Sequence, residues 1–255
     1  MTEQDQLKKE LKQEIKTELL ELLTSELQSL APDELVPMHT VTVSERFPDA
    51  YQDFQPDEVV EHDRSGNTFN FLCANGIRLQ VQVFTETVLR FRYRLPLEDE
   101  TDFSYAVDPD FEAQAVEVNF SAKEKDFEIQ TPKLSCKISK SDLRVRLYEK
   151  GGRLICEDAE GFSARRTILE GLNAIKISKK APGGEAYFGG GDKSCSLNLR
   201  GEQLENWNTD AFAFGVEGGP MYRSVPFYFG LRRGLGYGIF LDNPYRSFFD
   251  FDSKN

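Results

Sequence analysis

The stretch NTFNFLCANGIRLQVQVFTETVLRFRYRL (67–95) constrains the fold of this chain more than any other. Apolar and polar side chains alternate along it, and a strand is the element whose side chains point to opposite faces with a period of two. Asn75-Gly76 sits between two such runs, and Asn and Gly both tolerate positive φ, so the pair predicts a hairpin turn. The same pattern continues through AQAVEVNFS (113–121), KDFEIQT (125–131), KLSCKISK (133–140) and LRVRLYEK (143–150). It goes on past Gly151-Gly152 into RLICED, NAIKISKK, EAYFGGG, SVPFYFGLR and LGYGIFLD, and HTVTVSERF (39–47) alternates upstream. About a dozen short strands with turns every 8–12 residues, and no helical period between them, predict an all-β antiparallel β-sandwich. No self-similarity at a fixed period is present, which argues against a propeller or repeat array.

One segment breaks the pattern. Leu7, Leu11, Ile15, Leu19, Leu23 and Leu27 recur every four residues among Lys and Glu, with no Gly or Pro before Pro32. That spacing predicts a long amphipathic α-helix over 3–30, hence a division into a helical segment (1–34) and a sandwich (35–255). Its aliphatic stripe predicts docking on the domain or self-association with another copy; the other reading is a helix that is partly frayed.

Composition narrows the partners. The chain is 39% hydrophobic and 29% charged, with a formal net charge of −12. Such a composition suits a globular domain, and the charge repels nucleic-acid phosphates and anionic membranes, so neither is expected as a partner. A neutral ligand such as a sugar is permitted. The four cysteines, Cys73, Cys136, Cys156 and Cys195, form no C-x-x-C pair and read as small buried hydrophobes; spacing does not say whether Cys136 and Cys156 meet across strands. The opening residues lack the apolar centre of a secretion signal, and no apolar run reaches membrane-spanning length. A cytoplasmic, reduced protein is expected.

The usual chemical motifs fail one by one. Only His39 and His62 are available for a histidine mechanism, and neither lies in a stretch resembling a catalytic turn. No metal or cofactor is expected. FGGGDKS (188–194) lacks the Gly-Lys-Ser/Thr ending of a phosphate loop and reads as a tight backbone path presenting Asp192 or its neighbours, or as a plain turn. GLGYG (234–238) reads as a close backbone approach or a bulge. Forty-three carboxylates make a pair of acids uninformative, yet Asp210 has unusual surroundings. From Trp207 to Phe229 there are seven aromatic residues and only three charges, Asp210, Glu217 and Arg223. A few polar groups set in an aromatic wall are the usual make-up of a ligand site; the alternative is ordinary core with Asp210 capping a turn.

The succession AYFGGGDKSCSLNLRGEQLENWNTDAFAF…GGPMYRSVPFYFGLRRGLGYGIFLDNPYRSFFDF resembles the N-terminal region of glycoside hydrolase family 31, the α-glucosidase and α-xylosidase family. Phe188–Asp192, Leu197–Gly201, Trp207–Asp210, Met221–Phe227 and Gly230–Asp242 match five elements of that region in order, with Asp192 in place of the usual Glu and Met221 in place of the usual Leu. The resemblance implies a galactose-mutarotase-like sandwich that is itself non-catalytic. It also implies a retaining α-glycosidase in which two aspartates of a following (β/α)8 barrel, absent from this sequence, do the chemistry. By the same resemblance the Trp-Asn-x-Asp loop reaches over the barrel mouth, and Asp210 binds hydroxyls of an α-linked oligosaccharide, glucoside or xyloside. Trp207 and Asn208 are candidates for that contact and, alternatively, for bracing the loop. A free-standing carbohydrate-binding sandwich is the competing reading, and an aldose epimerase would need a catalytic His and Glu that the histidines do not supply.

Overall fold

A computed structural model describes residues 51–96, 104–108, 110–111, 113–167, 173–212 and 219–253. The helix expected over 3–30, the strand expected at 39–47 and the boundary at residue 34 lie outside the described residues. Every described element is a strand, and every pairing between them is antiparallel apart from one isolated bridge. Among the described residues no helix is long and apolar enough to cross a membrane.

The strands run β1 (Tyr51–Phe54), β2 (Val59–Ser65), β3 (Thr68–Cys73), β4 (Arg78–Val83) and β5 (Leu89–Arg94). They continue as β6 (Asn119–Ala122), β7 (Asp126–Gln130), β8 (Leu134–Ser139), β9 (Val145–Glu149), β10 (Leu154–Thr167) and β11 (Asn173–Lys179). The last five are β12 (Ala186–Gly191), β13 (Gln203–Asn206), β14 (Ser224–Arg232), β15 (Leu235–Phe240) and β16 (Ser247–Asp250). The chain divides into two compact units. The smaller contains β1, which pairs with the far end of β10 from Phe54↔Ala164 to Tyr51↔Thr167, where Arg165 forms a bidentate ion pair with Asp53.

The larger unit, Pro56–Phe162 with Ile177–Asn255, holds the remaining sheets. β2-β3-β4-β5 is one meander, and β10-β9-β8-β7-β6 is another. Alternation does what the sequence leads one to expect. Phe69, Phe71 and Cys73 of β3 and Leu79, Val81 and Val83 of β4 are buried, while their neighbours are not. The two meanders share a core: Phe71 meets Phe127 at 4.8 Å, and Tyr93 stacks on Phe162 at 4.3 Å. Burying an aromatic ring of this kind is worth about 3–5 kcal/mol against truncation to alanine. Cys136 and Cys156 both lie opposite Leu147, on either side of β9, so they are two strand spacings apart. Two spacings are about 9.6 Å, beyond the reach of a disulfide, and all four thiols are free.

Two hairpin turns differ in length. The β3–β4 loop is Ala74-Asn75-Gly76, closed by bonds from Gly76 N–H to the Cys73 carbonyl and from Cys73 N–H to the Ile77 carbonyl. Only Gly76 takes positive φ (+84°); the third loop residue lets a right-handed turn plus one left-handed glycine close the hairpin. The β14–β15 loop is the two-residue turn, and there Arg233 takes φ +51° beside Gly234 at +75°. Of AQAVEVNFS, only its end belongs to a strand, in β6.

Candidate functional site

The ring-rich stretch folds around two small sheets, β12-β14-β15 and β13-β16. Tyr187, Leu199, Leu204 and Phe251 form the buried cluster between them, and Tyr228 packs edge-on against Phe251 (5.1 Å) and Phe249 (5.4 Å). Here FGGG has its role. Gly189, Gly190 and Gly191 all take positive φ, through an irregularity in the β12–β14 register. A Cβ on Gly189 would stand 2.5 Å from the Phe227 carbonyl oxygen, and one on Gly191 2.5 Å from that of Arg223. Only glycine allows so close a backbone approach. The path delivers Asp192 to the Arg223 guanidinium (2.9 Å) and Lys193 beneath the next loop.

That loop follows β13 and contains Trp207-Asn208-Thr209-Asp210. Ser224, the first residue of β14, is its anchor: its Oγ accepts from Trp207 N–H (3.0 Å) and donates to the Trp207 carbonyl (3.1 Å). Asn208 Oδ1 accepts from Ser224 N–H at 2.7 Å, and Thr209 N–H donates to the Met221 carbonyl at 3.1 Å. Lys193 Nζ reaches the Glu205 carbonyl (2.5 Å) and Ser224 Oγ (3.1 Å), and burial pushes its ammonium below its ordinary pKa. Tyr222 Oη donates to the Ala211 carbonyl (3.0 Å).

The three residues expected from sequence therefore separate. Asn208 spends its carbonyl oxygen on the backbone of β14. Trp207 is braced through its main chain, while its indole is about half exposed. Asp210 is exposed, with no hydrogen bond or ion pair among the described residues. Lys193 was legible only as a neighbour of Asp192, and Ser224 not at all: it reads as the first residue of a core strand, and its partner lies 17 residues away.

The glycine path, the braced loop and the aromatic sheet all lie within one matched segment. Residues 78–250 match the glycosyl hydrolase 31 N-terminal galactose mutarotase-like domain. The chain belongs to this family. It is 31% identical over 189 residues to alpha-glucosidase 2 of Bacillus thermoamyloliquefaciens, a match that covers 73% of this chain and 23% of the relative. A Flavobacterium johnsoniae GH31 dextranase, solved with isomaltotriose, superposes with a TM-score of 0.66 at 28% identity, over 79% of this chain and 24% of that one. The cycloalternan-forming enzyme of Listeria monocytogenes, solved with a pentasaccharide substrate, shares the fold at 18% identity and a TM-score of 0.66, over 80% and 19% of the two chains. The chain thus spans about a quarter of the length of these relatives. Its family relatives are glycoside hydrolases.

Proposed function

We propose that this domain is the non-catalytic N-terminal sandwich of a retaining α-glycosidase of α-glucosidase type, acting on an α-linked gluco-oligosaccharide. A (β/α)8 barrel of the same parent protein supplies the nucleophile and the acid/base, and the Trp207–Asp210 loop lends that active site a sugar contact. The observation that carries this reading is the asymmetry of the loop. Its backbone and Asn208 are bonded to β14, while the Asp210 carboxylate is exposed and has no partner among the described residues. A fixed, open carboxylate suits hydroxyl groups, and holding it rigid before the sugar arrives reduces the entropy lost on binding. The α-glucosidase and dextranase relatives support the substrate class, and the four free thiols fit a reducing compartment such as the cytoplasm.

The 255-residue chain alone should hydrolyse no nitrophenyl α-glucoside, and measurable turnover would end this reading. In the parent enzyme, Asp210→Ala should lower kcat/KM by about 1–3 kcal/mol, roughly 5- to 150-fold, the size of a lost hydrogen bond to a charged group. The half-exposed Trp207 and the almost fully exposed Phe212 favour one alternative, a free-standing sugar-binding module. Isothermal titration of the chain with maltose and isomaltose separates the two: millimolar or tighter binding supports the module, and no binding supports a half-site.

A further inference from the structure

A cavity of about 310 Å³ opens between the start of β10 and the end of the β14–β15 hairpin. Leu154 and Ile155 of β10, with Ala181 and Pro182, give it apolar walls. Its polar lining is charged. The Glu185 side chain is 1% exposed; Oε1 accepts from the Tyr237 hydroxyl, and Oε2 stands 3.3 Å from Arg232 Nε. Gly230 makes room for that arrangement, because a Cβ there would lie 2.7 Å from both Glu185 Oε1 and the Tyr237 ring. Arg200 fixes the segment 181–185, donating to the carbonyls of Ala181, Pro182 and Glu185 while it pairs with Asp252. Lys180 and Glu157, both lining residues, form a more exposed ion pair at 3.0 Å.

The inner ion pair is incomplete. Glu185 Oε2 and Arg232 Nε face each other without the alignment of a hydrogen bond, and both atoms are buried with no hydrogen-bond partner among the described residues. Buried charged groups are ordinarily hydrogen-bonded as well as paired, because taking them out of water is costly. Here one acceptor and one donor are left open side by side, next to an apolar wall. Charge selects what can fill them. Glu157 and Glu185 balance Lys180 and Arg232, so the cavity gives neither an anion nor a cation a net advantage. A neutral group with a donor and an acceptor on adjacent atoms fits, and two neighbouring hydroxyls on a ring are such a pair. Small-molecule pockets span roughly 300–1,000 Å³, and a cavity at the lower end suits a single ring. We propose that this cavity binds a vicinal diol of a single-ring polyol or monosaccharide, one hydroxyl donating to Glu185 Oε2 and its neighbour accepting from Arg232 Nε–H. The site shares no residue with the Trp207–Asp210 loop, and the proposal stands apart from the reading of that loop.

The test is a titration of the nitrogen-15-labelled chain with D-glucose and with myo-inositol, followed by amide chemical shifts. The amides of Ile155, Glu157 and Tyr237 should move and saturate in the millimolar range, while those of Asn208 and Thr209 stay still. Glu185→Gln, which keeps the shape but replaces Oε2 with a donor or a weaker acceptor, should weaken binding roughly tenfold or more, the size of a lost hydrogen bond to a charged group. Arg232→Lys keeps the positive charge that Glu185 faces and removes Nε–H, so it should weaken binding comparably and serves as the variant if Glu185→Gln does not fold. Four outcomes would each overturn the proposal: no cavity shifts with either probe, which would leave an internal ion pair only; inorganic phosphate moving the same amides at lower concentration; unchanged affinity in a folded variant; or shifts confined to 207–210. Maltose carries a second ring that a cavity of this size does not take, so it should leave the cavity amides still. Cavity shifts with maltose as large as those with glucose would overturn the one-ring occupant. The loop and the cavity therefore fail separately, each read by its own amides.

Discussion

Ser224→Ala and Asp210→Ala, fourteen residues apart in sequence, should have different consequences for the isolated domain. The Ser224 hydroxyl takes part in three hydrogen bonds, to Trp207 N–H, to the Trp207 carbonyl and to Lys193 Nζ. Each is worth about 0.5–1.5 kcal/mol net, and water can reach this half-buried site to replace part of the loss. The expected cost is about 1–2 kcal/mol, or roughly 3–6 °C in Tm for a domain of this size. Asp210 has no partner to lose among the described residues, so Asp210→Ala should fall within about 0.5 kcal/mol of the unsubstituted chain. Thermal unfolding followed by circular dichroism gives both values. Trp207 is the chain's one tryptophan, so its fluorescence reports on the loop itself. Ser224→Ala should red-shift that emission below the global transition, and Asp210→Ala should not. A fall of more than about 4 °C for Asp210→Ala would mean that the carboxylate holds the fold together, and the argument for a free, substrate-facing group would collapse.

Three further outcomes follow from the geometry. Gly191→Ala should cost about 2–4 kcal/mol, combining left-handed backbone strain with a Cβ 2.5 Å from the Arg223 carbonyl oxygen; urea denaturation reads the loss, and a change below 1 kcal/mol would contradict it. Arg233→Asn should stabilise the hairpin by up to about 1 kcal/mol, because asparagine tolerates the φ of +51° that arginine now adopts, and an unchanged or lower Tm would count against the turn as described. The Lys123 ammonium bonded to Glu128, with Ser135 and Gln130 also donating, holds that buried carboxyl down to about 2 against an ordinary 4.5. A depressed folded-state pKa contributes stability above pH 4.5 that disappears as pH falls toward 2, on the order of 2–3 kcal/mol in full. Glu128→Gln should flatten the unfolding free energy across that window, and an unaltered acid limb would refute the assignment.

How far these features were legible depended on the range of the interaction behind each. Alternation in 67–95 and 125–150 placed β3 to β5 and β7 to β9 within one or two residues, because the period of a half-buried strand is written locally. Short pairing strands such as QLEN in β13 and SFFD in β16 carry too few residues for a period, and only their pairing with each other defines them. The Asn75-Gly76 signal gave the hairpin but not its loop length, which the register of the flanking strands selects.

The same division holds at the site. Sequence alone pointed to the antiparallel β-sandwich that the described residues form, to a tight glycine path or turn before Asp192 and to the aromatic setting of Asp210, since each is a matter of residue type and near neighbours. Tertiary structure decided which polar groups were still available. Asn208 and Asp210 look alike in a string of letters, two short polar side chains two positions apart. Folding brings the head of β14 against the loop and consumes the Asn208 carbonyl on Ser224 N–H, while no described residue bonds to Asp210. A hydrogen bond between residues sixteen apart leaves no mark on either neighbourhood, and that bond separates the brace from the group left open to a ligand.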